Sequence, residues 1–131
     1  MRPELMNALT LAYLGDAVFE VYIRNYLIVD KGITKPNDLQ KAAVQYVSAY
    51  AQAGFMKEAL KNDWLSEEEV RIYKRGRNTK GHGVKNKTTL THNQSSGFEA
   101  IIGHLYLLEE HERIGEIVNM YKQYVDSLIT D

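Results

Sequence analysis

The chain has 131 residues, 44% of them hydrophobic, with 16 Lys and Arg against 17 Asp and Glu, and no Cys. At about 100–200 residues per domain this is one domain, long enough to bury a genuine core, and the lack of Cys excludes disulfides, thiolate metal sites and cysteine nucleophiles. A net charge of −1 argues against a nucleic-acid binder only if the charge is evenly spread.

Prolines occur only at positions 3 and 36, so long stretches are free of helix breakers. A first helix is predicted from about Glu4 to Val29, ending before Lys31-Gly32. Asp16, Glu20 and Arg24 interrupt its apolar run, so it reads neither as a membrane span nor as a secretory signal. A second helix starts near Pro36, a residue suited to a first helical turn, and stops at Gly54. A short third covers Phe55 to Lys61. Ser66 followed by Glu69 opens a fourth as a capping box, which fades near Arg77. Residues 78–93, with Gly81 and Gly83, read as an exposed loop. A fifth helix spans Gln94 to Glu110 and a sixth Glu112 to Leu128. No strand-type alternation is sustained, so the expected fold class is all-α.

The first and fifth helices are apolar nearly all round. The first carries Leu5, Leu9, Leu11, Leu14, Val18, Phe19, Val21, Ile23, Leu27 and Ile28; the fifth carries Phe98, Ile101, Ile102, Leu105, Tyr106, Leu107 and Leu108. Such helices lie in the centre of a core or at a subunit interface. A domain this small can hardly enclose both, so a homodimer is expected.

Each of these helices has one conspicuous carboxylate, Asp16 after Gly15 and Glu99 after Gly97-Phe98. A buried carboxylate must be paired, hydrogen-bonded or metal-bound, and a glycine inside a helix marks close approach of a backbone or ligand. Structural readings stand beside the functional one. Asp16 suits a solvent gap with pairing to Arg24 or a neighbour, and Glu99 suits a capping box with Ser96. Glu20, one turn after Asp16, suits either support of a site or surface pairing. His104 suits a satisfied core or interface position.

Charge is segregated. Between Val70 and Phe98 stand Arg71, Lys74, Arg75, Arg77, Lys80, Lys85 and Lys87 with no acid; the rest of the chain has nine basic and 17 acidic residues. The stretch Lys74-Arg75-Gly76-Arg77-Asn78 and the loop after it suit a phosphate backbone, with His82 and His92 as further donors. The alternative is a solvated helix end. A carboxylate pair beside a basic track fits metal-assisted phosphodiester cleavage: carboxylates suit Mg²⁺, and the metal activates water and neutralises phosphate charge. These features do not separate nuclease from phosphatase, or RNA from DNA.

Leu11-Ala12-Tyr13-Leu14-Gly15-Asp16-Ala17-Val18-Phe19-Glu20 resembles the signature helix of ribonuclease III catalytic domains. Phe98-Glu99-Ala100-Ile101-Ile102-Gly103-His104-Leu105-Tyr106-Leu107 resembles that family's second catalytic helix. Lys74-Arg75-Gly76-Arg77-Asn78 is similar to a segment of the short Mini-ribonuclease III subgroup. The resemblance covers essentially the whole chain. It implies that residues 1–131 form a single all-helical catalytic domain. It further implies a homodimer cutting double-stranded RNA with Mg²⁺, leaving 5′-phosphate and 3′-hydroxyl ends. Asp16 and Glu99 would be the catalytic and metal-holding residues, with Glu20 and Ser96 behind them.

The subgroup matures the ends of 23S ribosomal RNA precursor. This implies a cytoplasmic protein, with a ribosomal protein or an assembling ribosomal subunit as a further partner. The second, RNA-binding domain of longer family members has no place here. Lys74, Arg75, Arg77, Asn78, Lys80, Lys85 and Lys87 would supply RNA contacts instead. The chain departs from the longer enzymes at Leu9, Ala12 and Ser96, where they carry acids. The rival expectation is a non-catalytic helical dimer that binds double-stranded RNA. A third is a helical module that binds a protein partner.

Overall fold

A computed structural model of the chain describes residues 1–78 and 87–130, without the side chains of Lys87 and Thr130. Lys80, His82, Lys85 and the glycines at 81 and 83 therefore lie outside the described residues. Within them the fold is six α-helices and two short turns, with no strand.

Helix α1 spans Ala8–Asn25. It begins later than the sequence predicts because Asn7 caps it, accepting the Leu9 amide at 2.8 Å. A single 3₁₀ turn, Pro3–Leu5, precedes it. At the other end the chain widens into a π turn over Tyr26–Asp30, and Gly32 leaves it with a φ of +68°.

Helices α2 (Pro36–Val47) and α3 (Ala49–Lys61) divide at Ser48, not at Gly54. The Ser48 hydroxyl caps α3 by accepting the Ala51 amide at 3.1 Å. Gly54 stays helical, and its missing side chain makes room for the Tyr124 ring. Helix α4 (Glu67–Asn78) starts with the predicted capping box. The Glu69 amide donates to Ser66 Oγ at 3.1 Å, and the Ser66 amide donates to Glu69 Oε1 at 2.9 Å.

Helix α5 runs Lys87–Leu107 and α6 runs His111–Thr130. The start of α5 corrects the expectation of a loop up to residue 93. Thr88–Asn93 are helical, with Asn93 buried. Ser96 is thus mid-helix and cannot cap it, which removes the Ser96–Glu99 capping box.

Helix α5 forms the centre, packed by α1, α3, α4 and α6. Phe98, Ala100, Ile101, Ile102 and Leu105 are all buried. Phe19, Phe55, Phe98 and Tyr121, one from each of α1, α3, α5 and α6, meet with ring centroids 4.8–5.6 Å apart.

Two glycine crossings hold α5 against its neighbours. A Cβ on Gly15 would lie 1.8 Å from the Glu99 carbonyl oxygen, and one on Gly103 would lie 1.9 Å from the Leu11 carbonyl oxygen. Helices α1 and α5 therefore touch backbone to backbone. A Cβ on Gly76 of α4 would lie 2.8 Å from Gly97 Cα of α5. The domain thus encloses one of the two apolar helices. Helix α1 keeps an exposed apolar face with Tyr13 (84%), Ala17 and Val21 (66%) on it.

Candidate active site

The α1–α5 crossing decides where the two conspicuous carboxylates go. Asp16 follows Gly15 directly, and the Glu99 carbonyl is the group that Gly15 admits. Both side chains line one side of the crossing, near enough for the Asp16 charge to act on Glu99. They face an open cleft of about 450 Å³. Leu9, Ala12 and Tyr13 of α1 and His92, Ser95 and Ser96 of α5 complete its walls, with Val47 and Ala49 beside the α2–α3 break. Leu9, Ala12 and Ser96 are the positions that carry acids in the longer enzymes the sequence resembles, and all three line this cleft.

Glu99 is half-buried. Burial first, and then the charge of Asp16, push its carboxyl up to about 8, while a hydrogen bond from the Gln52 side chain pulls the other way. The metal-free pair therefore retains a proton at neutral pH. Glu20 adds a weaker push. Its carboxylate is engaged by Arg24 at 3.0 Å. Arg24 therefore pairs with Glu20 and not with Asp16, while Asp16 is exposed, as a position at a solvent gap would be.

The donor set fits Mg²⁺. Two crowded carboxylates that keep a proton to relieve their repulsion can exchange it for a hard cation. Mg²⁺ is commonly held by one or two carboxylates, the remaining positions going to water and phosphate oxygens. Among the described residues no group of three or more His, Cys, Asp or Glu is arranged to hold a metal; Asp16 and Glu99 are the two residues here that would hold the ion.

His104 does not line this cleft. It is buried, and its Nε2 lies 3.0 Å from Glu68 Oε1, tying α5 to the first turn of α4. Of the basic residues on α4, Arg71 and Lys74 are exposed, as is the neutral Asn78 that ends the helix. Arg77 stacks 5.5 Å from the Tyr73 ring centre and donates to Asn78 Oδ1 at 3.0 Å. Arg75 is used differently. Its guanidinium donates to the carbonyls of Glu4, at 2.7 Å, and Met6, fastening the N-terminal turn onto α4. Lys87 opens α5, the helix that carries Glu99.

The sequence reading missed Gln52, which is 1% exposed and accepts a hydrogen bond from the buried Ser95 hydroxyl. Its signal was a lone amide within Ala51-Gln52-Ala53, a small-residue run leading into Phe55-Met56. Tyr13, exposed at the mouth of the cleft, appeared only as part of a motif.

An all-α fold that clasps a carboxylate pair between two helices touching at glycines is the class to which the chain belongs: the Ribonuclease III domain family matches residues 9–110, and the chain is a member of that endoribonuclease family. Its relatives narrow the membership to the Mini-ribonuclease 3 group. The chain is 49% identical to Mini-ribonuclease 3 of Enterococcus faecalis over 115 residues, covering 87% of this chain and 86% of that one. It is 44% identical to Mini-ribonuclease 3 of Staphylococcus aureus, with 88% and 87% covered. A crystal structure of a Fusobacterium nucleatum protein superposes with a TM-score of 0.77 at 32% identity, covering 91% of this chain and 93% of that one.

Proposed function

We propose that the chain is an Mg²⁺-dependent endoribonuclease that cuts double-stranded RNA, leaving 5′-phosphate and 3′-hydroxyl ends. Its proposed substrate is 23S ribosomal RNA precursor. The observation that carries the reading is the Asp16–Glu99 pair, joined across the α1–α5 crossing and facing an open cleft. Bound between them, Mg²⁺ would supply an activated water and neutralise charge on the attacked phosphate. The protein's part is to hold the two carboxylates together, to leave the cleft open for a phosphodiester, and to keep both groups ionised once the cation is present. Residues 1–131 act in this reading as one catalytic domain in the cytoplasm.

The RNA track runs from Lys74, Arg77 and Asn78 to Lys80, Lys85 and Lys87. Arg75, on the same stretch of α4, secures the N-terminal turn. Ser96 and Glu20 stand at the edge of the carboxylate pair. The exposed apolar face of α1 supports a homodimer. A duplex long enough to lie across both copies would meet two cleavage centres. A ribosomal protein or assembling ribosomal subunit would present the precursor.

The test is cleavage of an RNA duplex by the purified chain with and without Mg²⁺. Asp16→Asn is expected to lower kcat on the order of 10²-fold or more, since losing a ligand should cost at least what losing a group that orients a ligand does. The Asp16→Asn circular dichroism spectrum should stay native. Cleavage that survives Asp16→Asn would overturn the assignment. Duplex binding without scission under any divalent ion would mark a non-catalytic RNA-binding dimer instead.

A further inference from the structure

Gln52 belongs to α3, outside both helices that carry the carboxylates, yet its side chain meets residues of α5 on the side that bears Glu99. At 1% exposure its amide has to meet its donors and acceptor inside the protein. Its Oε1 accepts the Ser95 hydroxyl proton. Its side chain is also close enough to the Glu99 carboxylate to favour that group's charged form, as a donor would. Ser95 is buried as well and stands one helical turn before Glu99 on the same face of α5. Because Ser95 occupies the oxygen end of the amide, the NH₂ end is the one left to face Glu99. The three side chains form a chain in which Ser95 fixes the amide and the amide fixes the carboxylate.

We infer that Gln52 is a positioning residue, a buried amide oriented by Ser95 that donates to one oxygen of Glu99 and holds that carboxylate toward Asp16 for the cation. The inference rests on the proposed reading of Asp16 and Glu99 as the metal-holding pair. A glutamate has three side-chain torsions to settle before it can serve as a ligand. A rigid donor on one oxygen settles them in advance and leaves the remaining lone pairs free. Partners of this kind typically matter 10–100-fold for metal affinity or activity.

The experiment uses the full chain with Gln52→Leu, which keeps volume and removes the amide, together with Ser95→Ala, Ser95→Thr and Asp16→Asn. It measures Mn²⁺ binding by electron paramagnetic resonance without RNA, the Mg²⁺ concentration for half-maximal cleavage, and kcat and KM on an RNA duplex. Gln52→Leu is expected to weaken Mn²⁺ binding and raise the Mg²⁺ midpoint by about 10–100-fold. It should lower kcat and leave KM for the duplex unchanged. Ser95→Ala should move in the same direction and Ser95→Thr should restore the wild-type values. The double variant Gln52→Leu/Ser95→Ala should be no worse than Gln52→Leu alone, since the two act as one unit.

If Gln52→Leu does not fold, the Ser95→Ala and Ser95→Thr pair carries the test. The inference is overturned if Asp16→Asn abolishes Mn²⁺ binding while the folded Gln52→Leu and Ser95→Ala proteins stay within about twofold of wild type. A lowered melting temperature with unchanged Mn²⁺ binding likewise reduces Gln52 to a structural role. If Asp16→Asn leaves cleavage intact, the functional reading itself fails and this inference falls with it.

Discussion

Glu69 and Glu99 each stand three residues after a serine, at capping-box spacing, and burial pushes both carboxyls upward. Their neighbours decide the outcome. Beside Glu99 stands another carboxylate, and the pair keeps a proton. Beside Glu69 stands the Arg113 guanidinium, which donates two hydrogen bonds of 2.8 Å. Arg113 and the Ser66 amide outweigh burial and hold Glu69 below its ordinary 4.5.

The sign of the resulting pH effect follows. A carboxyl depressed in the folded state contributes stability above its unfolded pKa and loses that contribution as pH falls through the folded value. Glu69→Gln is therefore expected to be about 2 kcal/mol less stable than wild type at neutral pH, because it removes two charge-assisted hydrogen bonds and leaves Arg113 only the exposed Glu116 carboxylate and the Trp64 carbonyl. The gap should narrow as pH drops below 4.5. Urea unfolding at several pH values measures it, and a gap that stays constant down to strongly acid pH would refute the assignment. At this scale the Ser66–Glu69 box was legible because both partners lie within one turn. Ser96–Glu99 had the same spacing but lies inside a helix that starts at Lys87, and nothing local in the sequence marks that start.

Element boundaries were misread for a related reason. Asn7 and Ser48 end or begin helices by turning their own side chains onto the backbone. Each sits in a stretch that helical periodicity alone would carry straight through. The role of Gly15 as a close-approach point was legible from the cost of a glycine inside an apolar helix. Its partner, Gly103, belongs to another helix and is identified only when the two are packed.

The crossing makes a sharp prediction. Gly15→Ala places a methyl group 1.8 Å from a backbone carbonyl oxygen, where no rotamer change can relieve it. The helices must separate, and a loss of about 3 kcal/mol or more is expected, toward the upper end of overpacking costs. Gly115→Ala, where a Cβ meets nothing within 4 Å, is the control. Its expected effect is a small gain, from helix propensity. Thermal unfolding of the two variants compares them directly, and equal melting temperatures would show that the crossing is looser than described.

At the scale of the molecule, the sequence posed a packing problem: two all-round apolar helices in one small domain. The fold resolves it unequally. Helix α5 is enclosed, and α1 presents Tyr13, Ala17 and Val21 to solvent at a spacing of one turn. Beside them Leu14, Val18, Tyr22 and Tyr106 line an apolar depression of about 320 Å³. A continuous apolar face of this kind marks an interaction surface. Val21→Asp is therefore expected to convert a dimer into a monomer in sedimentation analysis while keeping the helical spectrum. A monomeric wild-type protein would remove the basis of that expectation. Which of the two helices would be covered was not legible, because both satisfy the same hydrophobic pattern and only the tertiary packing chooses between them. The segregation of charge was legible. What it hid was that Arg75 serves the chain's own carbonyls.

The glycine crossing has a consequence for how this protein can change. The register of the Asp16 and Glu99 backbones is set by two helices in direct contact at glycines, and the side chains around them settle only how each carboxylate points. The aromatic cluster of Phe19, Phe55, Phe98 and Tyr121 can then be repacked, by natural drift or in a library selected for heat tolerance, while the two carboxylates keep their register. Core packing and carboxylate register rest on different contacts, even where Phe98 and Glu99 are neighbours in the chain, so one can be tuned without retuning the other.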